Sequence, residues 1–142
     1  MQRVSFDMDS TLDIPSIQEY AKMLVEKGIE VWIVTSRYDS EDKYTPEFLK
    51  SINLVDIKEG ELTKLHKELF EIADKVGIST DHIVFTNMRP KHTYFADHPE
   101  FIWHLDDSFQ ECIWINEFTE VKGVPWMGNK NWRVDCSKLL FD

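Results

Sequence analysis

The chain has 142 residues, near the commonest size for a single domain, so we expect one domain over residues 1–142. Hydrophobic residues make up 42% of the chain and aromatic residues 13%, which excludes an intrinsically disordered segment. The net charge of -10 disfavours nonspecific binding to nucleic acid or to anionic lipid.

The first third of the chain predicts a strand, a helix and a second strand. Residues 3–6 form a short, largely apolar run directly before an acidic segment. Pro15 suits the first turn of a helix, and Gly28 predicts the end of that helix. Residues 29–34 are mostly apolar and β-branched, so they predict a strand that is buried on both faces. The helix itself is indicated by apolar residues at helical spacing: Ile17, Tyr20, Ala21, Leu24 and Val25.

Residues 38–59 are polar and irregular, and they resemble an insertion. Thr45-Pro46 predicts the start of a short helix within it. Three aromatic residues in this stretch leave two interpretations open, because they either stack on a nucleic-acid base or pack onto the domain. They are Tyr38, Tyr44 and Phe48.

The rest of the chain continues the alternation of helices and strands. An apolar stripe from Leu62 to Val76 predicts a longer helix that ends at Gly77. Strands are predicted at 82–85, 101–105 and 121–124, a short helix from Lys91, and a helix that Ser108 caps and that runs through Asn116. Alternating strands and helices predict a three-layer α/β fold, in which a parallel sheet has helices on both faces.

Polar residues follow the ends of four predicted strands. In a parallel sheet these ends meet at one edge, which is where ligands bind. Carboxylate oxygens suit Mg²⁺, and a lysine, an arginine and a hydroxyl suit phosphate oxygens, so the pattern predicts a site for a phosphate and a divalent cation. The residues are Asp7 and Asp9, then Thr35, Ser36 and Arg37, then Lys91, and finally Asp106 and Asp107.

The acidic segment also carries a family resemblance. The strand followed by Asp7-Met8-Asp9-Ser10-Thr11-Leu12 resembles the first signature, DxDxT, of the haloacid dehalogenase (HAD-like) superfamily of phosphatases. The later signatures have counterparts in the same order: a strand that ends in Thr35, a lysine at a helix start (Lys91), and a strand that ends in Asp106-Asp107. The resemblance covers most of the chain and implies a Rossmann-like sheet of strand order 5-4-1-2-3.

The resemblance implies a catalytic role for four residues. Asp7 is the nucleophile that forms an aspartyl phosphate, and Asp9 protonates the leaving oxygen and then activates water. Thr35 donates a hydrogen bond to the transferred phosphoryl group, and Lys91 neutralises its charge. Arg89 lies two residues before Lys91, so either cation is a candidate for the third signature; we favour Lys91.

The resemblance also implies a Mg²⁺ site. Asp106, alone or with Asp107, completes the shell beside Asp7 and the backbone carbonyl of Asp9. One departure from the family pattern is that the first strand is short and contains Ser5. Three further residues carry hydrogen-bond donors and are candidates for binding the substrate phosphate: Ser36, Arg37 and Arg89.

Members of this superfamily often insert a cap domain between the first two signatures or before the third. Here residues 13–34 are used by one helix and one strand, and residues 85–91 leave no room, so we expect no large cap and an open site. Thr35-Ser36-Arg37 is also similar to the Ser-Gly-Arg turn of the 3'-phosphatase module in phage-type polynucleotide kinase-phosphatases. These resemblances imply a Mg²⁺-dependent phosphomonoesterase that acts on a nucleotide or on a polynucleotide-end phosphate.

Other interpretations remain. One alternative is a phosphatase whose substrate is a phosphoprotein or a small sugar phosphate. Another is a non-catalytic binding protein with the same fold. An EF-hand is excluded because Leu12 stands where its loop needs glycine. His92, His98 and His104 fit no zinc pattern and are expected to be core or surface residues.

The two cysteines, Cys112 and Cys136, are too few and too far apart for a disulfide framework. No apolar stretch approaches the ~20 residues that span a bilayer, and the N-terminus lacks the pattern of a signal peptide. We therefore expect a cytoplasmic protein without membrane association. The sequence indicates no obligate protein partner.

Overall fold

A computed structural model describes residues 1–40, 47 and 59–141 of the chain. The predicted helix at Thr45-Pro46 and the aromatic residues Tyr44 and Phe48 lie outside the described residues. Tyr38 is described and is half-buried.

The described residues form an α/β fold around one five-stranded sheet in which every neighbouring pair of strands is parallel. The strand order β3-β2-β1-β4-β5 is the predicted order 5-4-1-2-3 read from the other edge, so the predicted fold class is confirmed. The strands are β1 (Arg3–Phe6), β2 (Glu30–Thr35), β3 (Ile83–Phe85), β4 (Phe101–Asp106) and β5 (Lys122–Pro125).

In the described part of the chain, five helices with defined bounds connect or follow the strands: α1 (Pro15–Glu26), α2 (Glu59–Val76), α3 (Lys91–Ala96), α4 (Phe109–Phe118) and α5 (Trp132–Lys138). The buried apolar residues divide into two clusters because successive side chains of a strand point to opposite faces of the sheet. The larger cluster joins α1 and α2 to the sheet, and the smaller one joins α3 and α4. None of the helices among the described residues is long and apolar enough to cross a membrane.

The predicted helix ends are confirmed at two glycines. Gly28 follows α1 with φ of 85°, and Gly77 follows α2 with φ of 97°. Both angles lie in the left-handed region, which glycine adopts without steric cost.

Besides a 3-10 turn at Thr80–His82, two local elements were not predicted. α5 has only seven residues, too few for helical periodicity to be visible in the sequence. It is held by packing, since Trp132 contacts Tyr20 edge to face and the Tyr20 hydroxyl lies 2.8 Å from Ser137 Oγ. The other element is a short π-type turn at Met8–Leu12, inside the acidic segment.

The register between β1 and β4 positions the site. Ser5 pairs with His104 and Phe6 with Leu105, after a shift of register beyond Arg3. The backbone N–H of Asp7 then donates to the carbonyl of Leu105 at 2.9 Å. Asp7 and Asp106 therefore leave the sheet side by side at its carboxyl edge.

Candidate active site

A cavity of about 470 Å³ lies at the carboxyl edge of the sheet, where the predicted site residues meet. Its wall includes most of them: Asp7, Asp9, Ser36, Arg89, Lys91, Asp106 and Asp107. Thr35 and Arg37 lie close by, and both are buried.

Lys91 connects two of the carboxylates at the base of the cavity. Its Nζ donates to Asp7 Oδ1 at 2.8 Å and to Asp106 Oδ2 at 2.6 Å, and its side chain is 3% exposed. Burial alone lowers the pKa of Lys91, but the charges of Asp7 and Asp106 outweigh it, so the pKa is raised and the ammonium stays charged. Lys91 is also the first residue of α3, and its backbone N–H donates to Glu111 Oε2 at 2.9 Å.

Three carboxyl groups lie close together beside the Lys91 ammonium. Asp7, Asp106 and Asp107 each offer an oxygen, and these oxygens lie within 4.8 Å of one another. Burial raises the pKa of Asp7 well above its usual range, and Lys91 only partly opposes this effect. Burial also raises the pKa of Asp107. One ammonium does not compensate three carboxylates, and a hard divalent cation with oxygen ligands fits the remaining negative charge.

Asp106 behaves differently from Asp7. Burial also acts to raise its pKa, but the hydrogen bond from His104 and the charge of Lys91 outweigh burial, so the pKa lies well below its ordinary value. Its other oxygen, Oδ1, accepts from the backbone N–H of Ser108 at 3.0 Å. The pKa of Asp106 is thus lowered, in contrast to the raised pKa values of Asp7 and Asp107.

Asp9 contacts Arg37 rather than the other carboxylates. Arg37 donates from Nε to Oδ2 at 2.9 Å and from Nη2 to Oδ1 at 2.6 Å. Arg37 is buried, whereas 57% of the Asp9 side chain is exposed. The structure therefore places Arg37, a predicted phosphate-binding residue, against Asp9, and the side chain of Asp9 outside the three-carboxylate group.

The turn that carries Asp9 is anchored from β5. Ser10 adopts a left-handed φ of 58° within the turn. The indole N–H of Trp126 lies 3.0 Å from the carbonyl oxygen of Ser10 and 3.1 Å from Thr11 Oγ1. This contact, which the sequence did not indicate, fixes the backbone directly after Asp9.

The hydroxyl groups at the end of β2 have different environments. Thr35 is fully buried, and its Oγ1 accepts from the backbone N–H of Arg37 at 3.3 Å. Ser36 is half-buried and forms part of the cavity wall. Of these two residues, Ser36 is the one that contributes to the cavity wall, and the contact of Thr35 with a phosphoryl group stays a prediction.

The segment between β3 and α3 forms the rim of the cavity. Asn87 and Met88 both have left-handed φ values, 55° and 64°. Their backbone N–H groups donate to the carbonyls of Arg37 at 3.2 Å and Ser36 at 2.7 Å, which ties the segment to the end of β2. Arg89 follows, exposed at the rim.

His92 and His98 are half-buried, and His104 contacts the site. It is fully buried, and its Nε2 lies 2.7 Å from Asp106 Oδ2. His104 precedes Asp106 by two residues on the same strand, and that spacing was the signal available in the sequence.

Models of known protein families give no match to this chain, and a search of curated proteins found no relative.

Proposed function

We propose that this protein is a Mg²⁺-dependent phosphomonoesterase of the HAD-like type, which hydrolyses its substrate through a phosphorylated Asp7. The observation that carries the proposal is the double contact of Lys91 with Asp7 and Asp106, next to Asp107, at the carboxyl edge of a parallel sheet. A buried ion cluster of this kind is a poor device for stability, because desolvation offsets the attraction between the charges. It suits a site that binds a cation and a phosphate.

Asp7, Asp106 and Asp107 would hold the Mg²⁺, with the backbone carbonyl of Asp9 as a further ligand. When bound, Mg²⁺ compensates the carboxylates and attracts the phosphoryl oxygens. Lys91 contributes a second positive charge from the protein side. Ser36 and the rim residue Arg89 supply donors for the phosphate oxygens that face the cavity.

In the first step a carboxylate oxygen of Asp7 attacks phosphorus, and the bond from phosphorus to the leaving oxygen breaks. The leaving oxygen receives the electron pair of that bond and a proton from the carboxyl group of Asp9. Both oxygens of Asp9 contact Arg37 in the structure, so this transfer requires the exposed side chain of Asp9 to turn toward the leaving group.

In the second step Asp9 takes a proton from water as the water oxygen attacks phosphorus. The bond between phosphorus and Asp7 breaks, and inorganic phosphate and the Asp7 carboxylate are released. Asp9 thus acts first as an acid and then as a base, and it ends the cycle in the protonation state in which it began.

The proposed substrate is a nucleotide or a polynucleotide-end phosphate. Among the described residues, only the turn and α1 lie between β1 and β2, and only the rim segment lies between β3 and α3, so no cap domain encloses the cavity at these points. Arg89 provides an exposed cation at the rim of an otherwise acidic protein. We also propose a cytoplasmic location, since both cysteines are free and buried.

The test is the release of inorganic phosphate from p-nitrophenyl phosphate with and without Mg²⁺, in the parent protein and in Asp7→Asn. The matched control is Asp74→Asn, which changes an exposed carboxylate on α2. We expect Mg²⁺-dependent turnover in the parent and the control, and none in Asp7→Asn.

The substrate is then examined with 5'- and 3'-mononucleotides, phosphorylated oligonucleotide ends, sugar phosphates and phosphopeptides. Preference for a nucleotide or oligonucleotide end supports the proposed substrate class, and preference for a small sugar phosphate contradicts it. Absence of Mg²⁺-dependent release from every compound contradicts the proposed activity.

A further inference from the structure

Two buried polar residues, Ser5 on β1 and His104 on β4, lie in the sheet next to the carboxylates of Asp7 and Asp106. They pair with each other in the register of β1 and β4. Ser5 precedes Asp7 by two residues, and His104 precedes Asp106 by two. Side chains two residues apart in a strand point to the same face, so the Ser5 and His104 pair underlies the Asp7 and Asp106 pair. Neither Ser5 nor His104 has any exposed surface.

A continuous chain of hydrogen bonds runs from Ser5 to the site. Ser5 Oγ lies 2.8 Å from His104 Nδ1, and His104 Nε2 lies 2.7 Å from Asp106 Oδ2. The ring of Phe95, from α3, packs against the imidazole with 5.1 Å between the ring centroids. Both ring nitrogens are therefore in contact with polar groups, and a neighbouring helix restricts the ring plane.

The direction of both hydrogen bonds follows from the partners. Lys91 donates to the same oxygen of Asp106, which makes Oδ2 an acceptor, so Nε2 carries a proton and donates a hydrogen bond to Oδ2. In the neutral ring whose Nε2–H donates to Asp106, Nδ1 is the acceptor. The Ser5 hydroxyl donates to Nδ1, and this bond selects the tautomer that serves Asp106.

The consequence for Asp106 is an unequal use of its two oxygens. Oδ2 accepts from both His104 and Lys91, at 2.7 and 2.6 Å. Among the described residues, the one N–H donor to Oδ1 is the backbone of Ser108 at 3.0 Å. A carboxylate oxygen has two lone-pair positions, so Oδ1 retains the capacity to bind a cation, and Oδ2 does not.

Stability alone does not account for this pair. Buried polar groups pack no better than apolar side chains of similar size, and burying them costs free energy that their mutual hydrogen bond only offsets. The surroundings on this face of the sheet are apolar: Val34, Phe95, Phe101, Ile115 and Val121. An apolar pair at positions 5 and 104 would suit such a face equally well.

We propose that His104, oriented by Ser5, is a positioning residue that fixes Asp106 and leaves Oδ1 as the oxygen offered to the divalent cation. The inference rests on the part of the proposed function that places a cation at Asp7, Asp106 and Asp107. Hydrogen-bonding partners of metal ligands commonly set metal affinity in this way, and losing one weakens binding about 10- to 100-fold.

The test compares the parent with the double variant Ser5→Ala/His104→Leu, which replaces both polar partners by apolar groups. We expect the dissociation constant for Mg²⁺, measured by isothermal titration calorimetry, to rise about 10- to 100-fold. Thermal unfolding without metal should shift little. Loss of the hydrogen bond to Asp106 lowers stability, but Oδ2 keeps its bond from Lys91 and the apolar replacements suit this face of the sheet. At saturating Mg²⁺ the double variant should regain kcat.

Two further variants separate positioning from a general loss of stability. His104→Gln keeps an N–H donor at the end of the side chain, so its dissociation constant for Mg²⁺ should lie close to that of the parent. Tyr20→Phe removes a partly buried hydrogen bond from Tyr20 to the exposed Ser137, away from the cavity wall. This control should unfold at a lower temperature and bind Mg²⁺ as the parent does.

Mg²⁺ binding by the double variant as tight as that of the parent would overturn the proposal, and so would affinities that follow stability across all variants, including Tyr20→Phe. The nitrogen NMR shifts of the His104 ring give a metal-free check, since a proton on Nδ1 instead of Nε2 also contradicts it. A parent that binds no Mg²⁺ overturns it as well. A parent that binds Mg²⁺ but hydrolyses no phosphoester contradicts only the proposed function.

Discussion

Replacing Asp7 by asparagine should stabilise the metal-free protein while it abolishes turnover. Asp7 is 5% exposed, and among the described residues its one cationic donor is Lys91, with the carboxyl group of Asp107 also against it. Asp106 accepts from His104, Lys91 and Ser108. The under-compensated carboxylate is therefore Asp7, and its pKa is raised, chiefly by burial. Asparagine keeps the shape and an acceptor for Lys91 but carries no charge. We expect a gain of about 1–2 kcal/mol in the free energy of unfolding at neutral pH.

The sign of the pH dependence follows from linkage. A carboxyl group with a raised folded-state pKa binds its proton more tightly in the folded protein, so its ionisation lowers stability as the pH rises through that pKa. The gain in Asp7→Asn should thus be full above the folded-state pKa of Asp7 and should shrink toward zero near the unfolded-state pKa, about 3.9.

Urea unfolding followed by tryptophan fluorescence, in chelator and at several pH values, measures this difference. Asp74→Asn is the control and should change stability by no more than about 0.5 kcal/mol at any of these pH values. The reasoning is refuted if Asp7→Asn is no more stable than the parent at neutral pH, or if its advantage is the same in acid.

Three other changes test separate contacts. Lys91→Met leaves two buried carboxylates without their ammonium, so it should abolish phosphatase activity and cost about 3–5 kcal/mol in urea unfolding; an active, stable variant contradicts the placement of that charge. Arg37→Lys loses the two-nitrogen contact with Asp9 and should lower kcat more than it raises KM in steady-state assays, whereas a change in KM alone would indicate a phosphate-binding role. Trp126→Phe removes the indole donor to Ser10. It should cost about 0.5–1.5 kcal/mol of unfolding free energy and lower kcat. If neither value changes, the turn at Met8–Leu12 does not depend on this contact.

The sheet was predictable because its signals are local. β2 and β4 are apolar runs that end in polar residues, and glycines at 28 and 77 mark the ends of α1 and α2. Alternation of such elements leaves few topologies open, since parallel crossovers are right-handed. α5 was missed because its stability comes from contacts with distant residues such as Tyr20, which no local pattern records.

Most of the site was also predictable as a set of residues, since the ends of parallel strands converge. The contacts between these residues were not predictable. The sequence does not specify that Arg37 contacts Asp9, or that Ser36 rather than Thr35 contributes to the cavity wall, because both depend on how the chain turns after β2. The contact between Ser5 and His104 depends on the register of β1 and β4, which is set by tertiary packing.

The most direct test of the account is to trap the phosphorylated carboxyl group. The parent protein is mixed with p-nitrophenyl phosphate and Mg²⁺, quenched in acid and treated with borohydride, which reduces an aspartyl phosphate to homoserine. Peptide mass spectrometry should then find homoserine at position 7, and only in samples that received both substrate and Mg²⁺. Turnover without modification at position 7, or with homoserine at another aspartate, would contradict the assignment of Asp7 as the nucleophile.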